Sequence, residues 1–353
     1  MSAGENKRKL HVAVLMGGSS SERPVSLSTG QQIVAALDKE KYVVSSVDTR
    51  DLLALIVPPA DPPRIANETA DTAELDAANG RADIVFIALH GTGGEDGTVQ
   101  GMLEFLGLPY TGSGVLASAL AMNKSVSKRM FASIGVPVIP DVTITAEQAA
   151  SEGIPALVQH VINSLGLPVF IKPNAEGSTF GCSLVEVGEQ AEQALYAAID
   201  GALKFDSTVL VEKYIQGIEI TAGVLEDAAG SPQALPLVEI VPESKYYDYN
   251  SKYASGGSEH IIPARLSAEQ AKRAQAQALA CHRALGCAGM SRTDMIVTED
   301  AAYVLEVNTI PGMTPTSLLP QAADYAGIAF SQMLDRIISA GWRRGVPSSK
   351  IAP

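Results

Sequence analysis

The chain has 353 residues, of which 46% are hydrophobic and 18% are charged, and its formal net charge is −13. This length suits two or three compact domains. The acidic balance argues against nucleic acid and anionic membrane surfaces as partners, because both attract clustered Lys and Arg.

Three further features lead us to expect a cytoplasmic protein. Cys182, Cys281 and Cys287 are too few, and odd in number, for a disulfide framework, so we interpret them as reduced thiols. Residues 1–9 are polar and lack the apolar core of a signal peptide. The sequence has no run of about 18 apolar residues to span a bilayer, so we expect no membrane partner.

The N-terminal third alternates strands with helices. Apolar runs predict strands at residues 11–16, 42–47 and 83–89, a helix ending near residue 37 and a helix at residues 99–106. This alternation predicts an open parallel sheet with crossover helices. Residues 57–80 contain prolines, small residues and acids, and we interpret them as a surface insertion to which no role is assigned.

The remainder predicts two units that mix helices with strands. The first has a helix starting near residue 123, strands at 138–144, 168–172, 183–187 and 208–214, and a helix at 189–203. The second has strands at 218–225 and 233–241, a Tyr-rich loop at 242–260, a helix at 268–285, a hairpin of strands 294–297 and 303–307, and helices near 318–325 and 330–340. We therefore place three domains at residues 1–122, 123–213 and 214–353.

Acidic and amide side chains meet on the predicted hairpin. Glu306 and Asn308 are two residues apart on a strand, so they point to one face, and a turn near Asp300 places Asp294 opposite Glu306. We expect no charged neighbour to compensate these oxygen ligands, which are the kind that Mg²⁺ prefers. An ordinary solvated hairpin face is the alternative, and it is disfavoured because Arg292 lies on the same hairpin.

A second candidate site is a small-residue loop at residues 176–181. Its backbone N–H groups can surround phosphate oxygens, and Lys172 ends the preceding strand. The GxxxxGK[ST] pattern is absent, and such a loop alone is as often a simple turn. Glu212 and Glu219, near the end of a later strand, are suited to amine or ribose hydroxyl groups, although isolated glutamates there are more often solvated.

Two loops of the N-terminal third follow predicted strands. Residues 17–23 include Glu22, which can pair with a substrate ammonium, and residues 89–97 include His90. Ligands bind beyond the carboxyl ends of strands in open parallel sheets. A capped turn is the alternative for each loop taken alone, but the two loops together favour a binding crevice.

Six motifs together resemble those of the D-alanine–D-alanine ligases, a family within the ATP-grasp superfamily. They are MGGSSSERPVSLS (16–28), LHGTGGEDGT (89–98), KPNAEGSTFG (172–181), YDYNSKY (247–253), RTD (292–294) and EVNTIPGMTPTS (306–317). The resemblance extends from residue 11 to about residue 338. It implies a three-domain ATP-grasp fold, α/β and α+β, with ATP between the central and C-terminal domains and residues 242–260 as a lid.

The resemblance also implies the nucleotide and metal ligands. ATP would be held by Lys124 and Lys172 at its α- and β-phosphates, by Lys252 at its γ-phosphate, and by Ser178. The adenosine site would be lined by Glu212, Lys213, Ile215 and Glu219. Two Mg²⁺ or Mn²⁺ ions would be held by Asp294, Glu306 and Asn308. A requirement for K⁺ is left open.

The amino acid substrates would contact a further group of residues. Catalytic roles would fall to Glu22, Ser178, Tyr253 and Arg292. Substrate would be bound by Glu22, His90, Lys252, Arg292, Gly312 and Ser317. Arg292 and the Gly312 amide would stabilise the oxyanion, and Ser317 would hold the carboxylate of the second D-alanine. The family also implies a cytoplasmic homodimer that serves peptidoglycan precursor synthesis.

Other functions compete with this interpretation. A related ligase could use D-lactate, D-serine or another amino acid as the second substrate, but members selective for D-lactate carry His where Tyr253 stands. A ligase for L-amino acids is less favoured because the resemblance covers nearly the whole chain. A regulator that has lost catalysis is disfavoured by the joint presence of Lys172, Arg292 and the three metal ligands.

Overall fold

The computed structural model describes residues 8–55, 81–177, 181–242, 258–314 and 316–345. Within these ranges the strands form three sheets, one from each successive part of the chain. No helix in the described part is long and apolar enough to cross a membrane.

The N-terminal sheet is parallel, as predicted. Its strands, in the order β2-β1-β3, are β1 (Leu10–Met16), β2 (Tyr42–Asp48) and β3 (Ile84–Ile87). The associated helices are α1 (Arg23–Ala36), α2 (Thr98–Phe105) and α3 (Val115–Met122), and a 3₁₀ segment covers Thr49–Leu55. The proposed insertion at 57–80 lies outside the described residues.

The central sheet is antiparallel, in the order β4-β7-β5-β6. Its strands are β4 (Asp141–Thr145), β5 (Val169–Pro173), β6 (Ser183–Val185) and β7 (Thr208–Lys213). The helices are α4 (Lys124–Ser133), α5 (Ala146–Glu152), α6 (Ile154–Leu165) and α7 (Ala191–Ala202). Sequence analysis missed α5 and α6, although a capping box of Thr145 with Gln148 marks the start of α5.

The C-terminal sheet is built on the path β11-β10-β8-β12-β13, with β9 paired to β8. Its strands are β8 (Ile218–Glu226), β9 (Pro232–Ala234), β10 (Val238–Pro242), β11 (Ser258–Ile261), β12 (Met290–Val297) and β13 (Ala302–Asn308). The helices are α8 (Ala268–Leu285), α9 (Leu318–Tyr325) and α10 (Phe330–Arg344). The single strand expected at 233–241 is wrong, because the pairing is interrupted around Pro236, which has no N–H to donate.

The hydrophobic cores show how the sheets are joined. Val14 and Phe86 of the N-terminal sheet share a core with Leu225 of β8 and with Leu334 of α10. The central sheet packs on α6 and α7 in a separate core. Helix α4 contributes Phe131 to a core with α8 and β13, so it lies where the central and C-terminal sheets approach one another.

Candidate active site

A cleft of about 390 Å³ lies between the central and C-terminal sheets, and we call it the main cleft. Both sheets supply its walls, and polar and apolar groups are mixed in the lining. Its charged residues include Lys124, Lys172, Glu176, Glu212, Lys213, Glu219, Asp294 and Glu306. Its apolar residues include Ile139, Phe170, Ile215, Ile218, Ile296 and Leu305.

The two lysines expected at phosphates both reach the main cleft. Lys124 begins α4, whose N-cap is the Asn123 side chain, and its Nζ donates to the Glu176 carbonyl oxygen at 2.7 Å. Lys172 lies on β5 and is 7% exposed. Burial alone would lower the pKa of Lys172, but the charges of Glu212 and Glu306 outweigh it and raise that pKa. Lys172 is therefore a buried cation at physiological pH.

Glu212 is buried, with 2% of its surface exposed. The alternative that Glu212 is a solvated residue at the end of a strand is therefore wrong. One carboxylate oxygen lies 2.8 Å from Lys172 Nζ, and the other lies 2.6 Å from Lys128 Nζ. Burial would raise the pKa of Glu212, but Lys172 and Lys128 outweigh it and lower the pKa. Sequence reasoning did not single out Lys128 as a site residue, since its partner is 84 positions away.

The hairpin acids are arranged as predicted. Asp294 on β12 is paired with Glu306 on β13, and Arg292 is paired with Asn308. The Asn308 side-chain oxygen accepts a hydrogen bond from the Ile310 N–H at 2.8 Å, which orders the chain just after the strand. Asp294, Glu306 and Asn308 are thus neighbours at one end of the hairpin.

The expectation that these acids have no charged neighbours is wrong. Arg292 donates two hydrogen bonds to Asp294, at 3.0 and 2.8 Å. The Thr221 hydroxyl donates to the same carboxylate at 2.6 Å. Lys124 Nζ lies 3.3 Å from Glu306 Oε2. Arg292, two residues before Asp294, and Lys124, which is distant from Glu306 in the sequence, therefore compensate the two carboxylates.

The donor set suits a hard divalent cation that shares its ligands with substrate. Two carboxylates and one amide are oxygen donors, which Mg²⁺ and Mn²⁺ prefer. The described residues contain no group of three or more His, Cys, Asp or Glu that could hold a metal ion by themselves. Mg²⁺ commonly completes its coordination with water and phosphate oxygens, so two carboxylates and one amide fit the protein's share of its ligands.

A β-bulge in the hairpin adds a lining residue that the sequence did not indicate. Asp294 pairs with Glu306, but Met295 pairs with Val304, so Leu305 has no opposite residue. Successive residues of a regular strand point to opposite faces, yet Leu305 and Glu306 both line the main cleft. The bulge places an apolar side chain beside a candidate metal ligand.

The remaining residues expected at adenosine come from β7, the segment after it, and β8. Lys213 ends β7, Ile215 follows it, and Glu219 lies on β8. All three line the main cleft. Residues at and beyond the end of β7 therefore line the same cleft as the apolar residues Phe170 and Leu305.

Hydrogen bonds of the two residues before the candidate phosphate loop fix the position of its start. Asn174 is buried, and its side-chain oxygen accepts a hydrogen bond from the Ser125 N–H on α4 at 2.8 Å. The Ala175 N–H donates to Asp206 at 2.7 Å. A Cβ added at Gly177 would lie 3.0 Å from Glu22 Oε2. The loop entrance therefore contacts both α4 and the N-terminal part of the chain.

Glu22, His90 and Glu95 form a buried polar cluster beyond the N-terminal sheet, which we call the N-terminal crevice. Glu22 and His90 are buried, and His90 lies 3.2 Å from the Thr29 hydroxyl through Nε2 and 3.3 Å from Glu95 through Nδ1. Burial raises the pKa of Glu95, and the charges of His90 and Arg292 oppose that rise. Arg292 is thus close to both the N-terminal crevice and the hairpin acids.

Two candidate substrate residues lie next to each other after the hairpin. Ser317 precedes α9, and its Oγ accepts a hydrogen bond from the Thr314 N–H at 3.0 Å. A Cβ added at Gly312 would lie 2.8 Å from Ser317 Oγ. Ser178, Lys252 and Tyr253, together with most of the expected lid, lie outside the described residues.

Comparisons with known proteins find relatives that match nearly the whole chain. Family models described as D-ala D-ala ligase N-terminus and C-terminus match residues 11–113 and 130–339. The D-alanine–D-alanine ligase of Syntrophobacter fumaroxidans is 47% identical over 94% of this chain and 97% of its own length. That of Desulforamulus reducens is 42% identical over 93% and 97%, respectively.

Solved structures of ligases also match nearly the whole chain. The D-alanine–D-alanine ligase from Bacillus anthracis complexed with ATP matches with a TM-score of 0.73 and 34% identity, covering 95% of this chain and 98% of that one. VanG D-Ala:D-Ser ligase from Enterococcus faecalis matches with a TM-score of 0.75 and 30% identity, covering 94% and 99%.

Proposed function

This chain belongs to the D-alanine–D-alanine ligase family, and we propose that it makes D-alanyl-D-alanine from ATP and two D-alanines with the residues of the main cleft and the N-terminal crevice. The fold is the three-domain ATP-grasp fold, and the product serves peptidoglycan synthesis. The observation that carries the residue assignment is the contact between Gly177 and Glu22. It brings the phosphate loop next to the expected amino acid site.

ATP would lie in the main cleft, with its base against Phe170 and Leu305 and its phosphates near Lys124 and Lys172. The charges of both lysines would offset the phosphate charge. The carboxylate of the first D-alanine would attack the γ-phosphate, giving an acyl phosphate and ADP. Glu22 would pair with the ammonium of that D-alanine and orient its carboxylate toward the main cleft.

The second step would join the two amino acids. The amine of a second D-alanine attacks the acyl carbon, a tetrahedral oxyanion forms, and phosphate leaves. Arg292 and the Gly312 amide would stabilise the negative charge that develops there. Ser317, next to Gly312, would bind the carboxylate of the second D-alanine.

We propose that Asp294, Glu306 and Asn308 hold two Mg²⁺ or Mn²⁺ ions. Bound ions of this kind would neutralise phosphate charge and orient the γ-phosphate. The oxygen-only donor set supports this assignment. Lys252, Ser178 and Tyr253 stay assigned from the sequence motifs alone, as residues that reach the γ-phosphate and close the site.

The domain limits, location and assembly are further proposals. We propose domains at 1–122, 123–213 and 214–353, supported by the separate sheets of these segments. We also propose a cytoplasmic homodimer, supported by the family. Sedimentation equilibrium over a range of protein concentrations tests the assembly, and a monomer at all of them would contradict it.

The substrate assignment is tested by incubating the protein with ATP, Mg²⁺ and one or two amino acids at a time. D-Alanine alone should give ADP and a product with the mass of D-alanyl-D-alanine. L-Alanine should give neither. Faster product formation with D-serine or D-lactate as a second substrate would overturn the assignment in favour of the alternative ligases.

A further inference from the structure

Lys128 is a buried charged residue that the reaction above does not use. It lies on α4 one turn after Lys124 and is 2% exposed. Its Nζ lies 2.6 Å from one oxygen of Glu212 and 2.8 Å from Asp141. The main cleft is lined by Glu212 but not by Lys128. Lys128 thus contacts Glu212 from outside the lining of the main cleft.

Lys128 lies beside two carboxylates that face one another across adjacent strands. Asp141 on β4 and Glu212 on β7 are paired in the antiparallel register. Like charges directly opposite destabilise a strand pair, and a buried charge that loses its partner is strongly destabilising. The ammonium group of Lys128 is within ion-pair distance of both carboxylates, so it compensates the repulsion between them.

Glu212 divides its carboxylate between two lysines. One oxygen faces Lys128, and the other lies 2.8 Å from Lys172 Nζ. A buried Glu212 that depended on Lys172 alone would compete with phosphate for the charge of that lysine. The second cation supplied by α4 reduces this competition.

We propose that Lys128 is a positioning residue for ATP: it neutralises Glu212, so that Glu212 orients Lys172 toward the main cleft without withdrawing its positive charge from the phosphates. The inference rests on the proposed function, since it requires Lys172 to bind ATP. Helix α4 suits this role because its Phe131 is anchored in the core with α8 and β13. Lys128 therefore links helix α4, which is anchored in that core, to β4 and β7 of the central sheet beside the proposed ATP site.

The test replaces Lys128 with Met, which keeps most of the side-chain length but removes the charge. Arg129→Met is the matched control, because Arg129 is the next residue of α4 and is exposed. Lys128→Met should raise the KM for ATP, and the Kd for a non-hydrolysable Mg²⁺–ATP analogue, by about tenfold or more. The KM for D-alanine should change by less than about twofold, and Arg129→Met should match the parent.

A double-mutant cycle separates this role from simple packing. In a Glu212→Gln background the neutral amide leaves no charge at 212 to neutralise, so adding Lys128→Met should change the Kd for the analogue by less than about threefold. An equal loss in both backgrounds would overturn the proposal. If Lys128→Met alone does not fold, Glu212→Gln is compared with the double variant, and a tenfold loss there contradicts the proposal.

The same measurements distinguish this inference from the proposed function. If the parent binds the ATP analogue but Lys128→Met binds it equally well, only the role of Lys128 fails. If the parent binds no analogue and makes no dipeptide, the proposed function itself fails.

Discussion

Arg292 and Asp294 lie two residues apart on β12 and form a bidentate ion pair. The pair links the cation expected at the oxyanion to a carboxylate expected at the metal ions. The sequence predicted both residues and their shared hairpin, but not that they contact each other. Glu212 is a similar case, because its two lysine partners, Lys128 and Lys172, come from different elements. Sequence motifs identify charged residues of the site, but which of them form ion pairs depends on the tertiary structure.

Arg292→Ala should greatly slow dipeptide formation and leave binding of an ATP analogue within a few-fold of the parent. The guanidinium stabilises charge that develops in the transition state, and loss of one such donor typically lowers turnover by about 10²–10³. Steady-state kinetics with D-alanine measures the turnover, and calorimetry measures the Kd of the ATP analogue. Turnover within a few-fold of the parent would remove Arg292 from the oxyanion site.

Glu306→Gln should shift the dependence of activity on Mg²⁺ to higher concentration. A neutral amide is a weaker ligand for a divalent cation than a carboxylate. The measurement is a titration of ligase activity with Mg²⁺ at saturating D-alanine, and Glu299→Gln, in the turn of the same hairpin, is the control. An unchanged midpoint in Glu306→Gln would show that the acids form only an ordinary hairpin face.

Helix α8 has strong local signals and was predicted well, whereas the β-bulge of the hairpin, which depends on strand pairing, was not predicted. The limits of α8 agree with the prediction because Ser267 and Gln270 form a capping box and Gly286 ends the helix in a left-handed conformation. The β-bulge at Leu305 has no such signal, since it depends on the register between β12 and β13. Local sequence therefore gave most of the fold but not the shape of the main cleft.

Gly181, the last residue of the phosphate loop, allows a test of how the end of this loop affects ATP binding. Its φ is +71°, and an added Cβ would lie 2.8 Å from Phe205 and 2.9 Å from Pro173. Gly166→Ala is the matched control, because φ there is +68° and nothing lies within 4 Å of the added Cβ. Both substitutions should lower the Tm, because a side chain at these positive φ angles costs about 1–3 kcal/mol of backbone strain.

Only Gly181→Ala should also raise the KM for ATP, because the added methyl group pushes the end of the phosphate loop away from Phe205. Kinetics at saturating D-alanine for both variants give the comparison. If the two variants have the same KM for ATP, the position of Gly181 does not control phosphate binding.

At the scale of the whole molecule, the three sheets differ in how firmly they are joined. The N-terminal and C-terminal sheets share a core that includes Leu334 of α10, whereas the central sheet has its own core. Contacts at the active site connect this central unit to the rest, through Gly177 with Glu22 and through Lys124 with Glu306. The three parts of the chain therefore meet where we place the ATP phosphates and the first D-alanine.

In the proposed reaction, ATP activates the carboxylate of D-alanine as an acyl phosphate where these three parts of the chain meet. The most direct measurement uses D-alanine labelled with ¹⁸O in its carboxylate, together with ATP and Mg²⁺, and follows the released phosphate by mass spectrometry. If the acyl phosphate forms, one ¹⁸O atom is transferred to each phosphate as D-alanyl-D-alanine accumulates. Phosphate without the label, released while dipeptide forms, would contradict the proposed reaction.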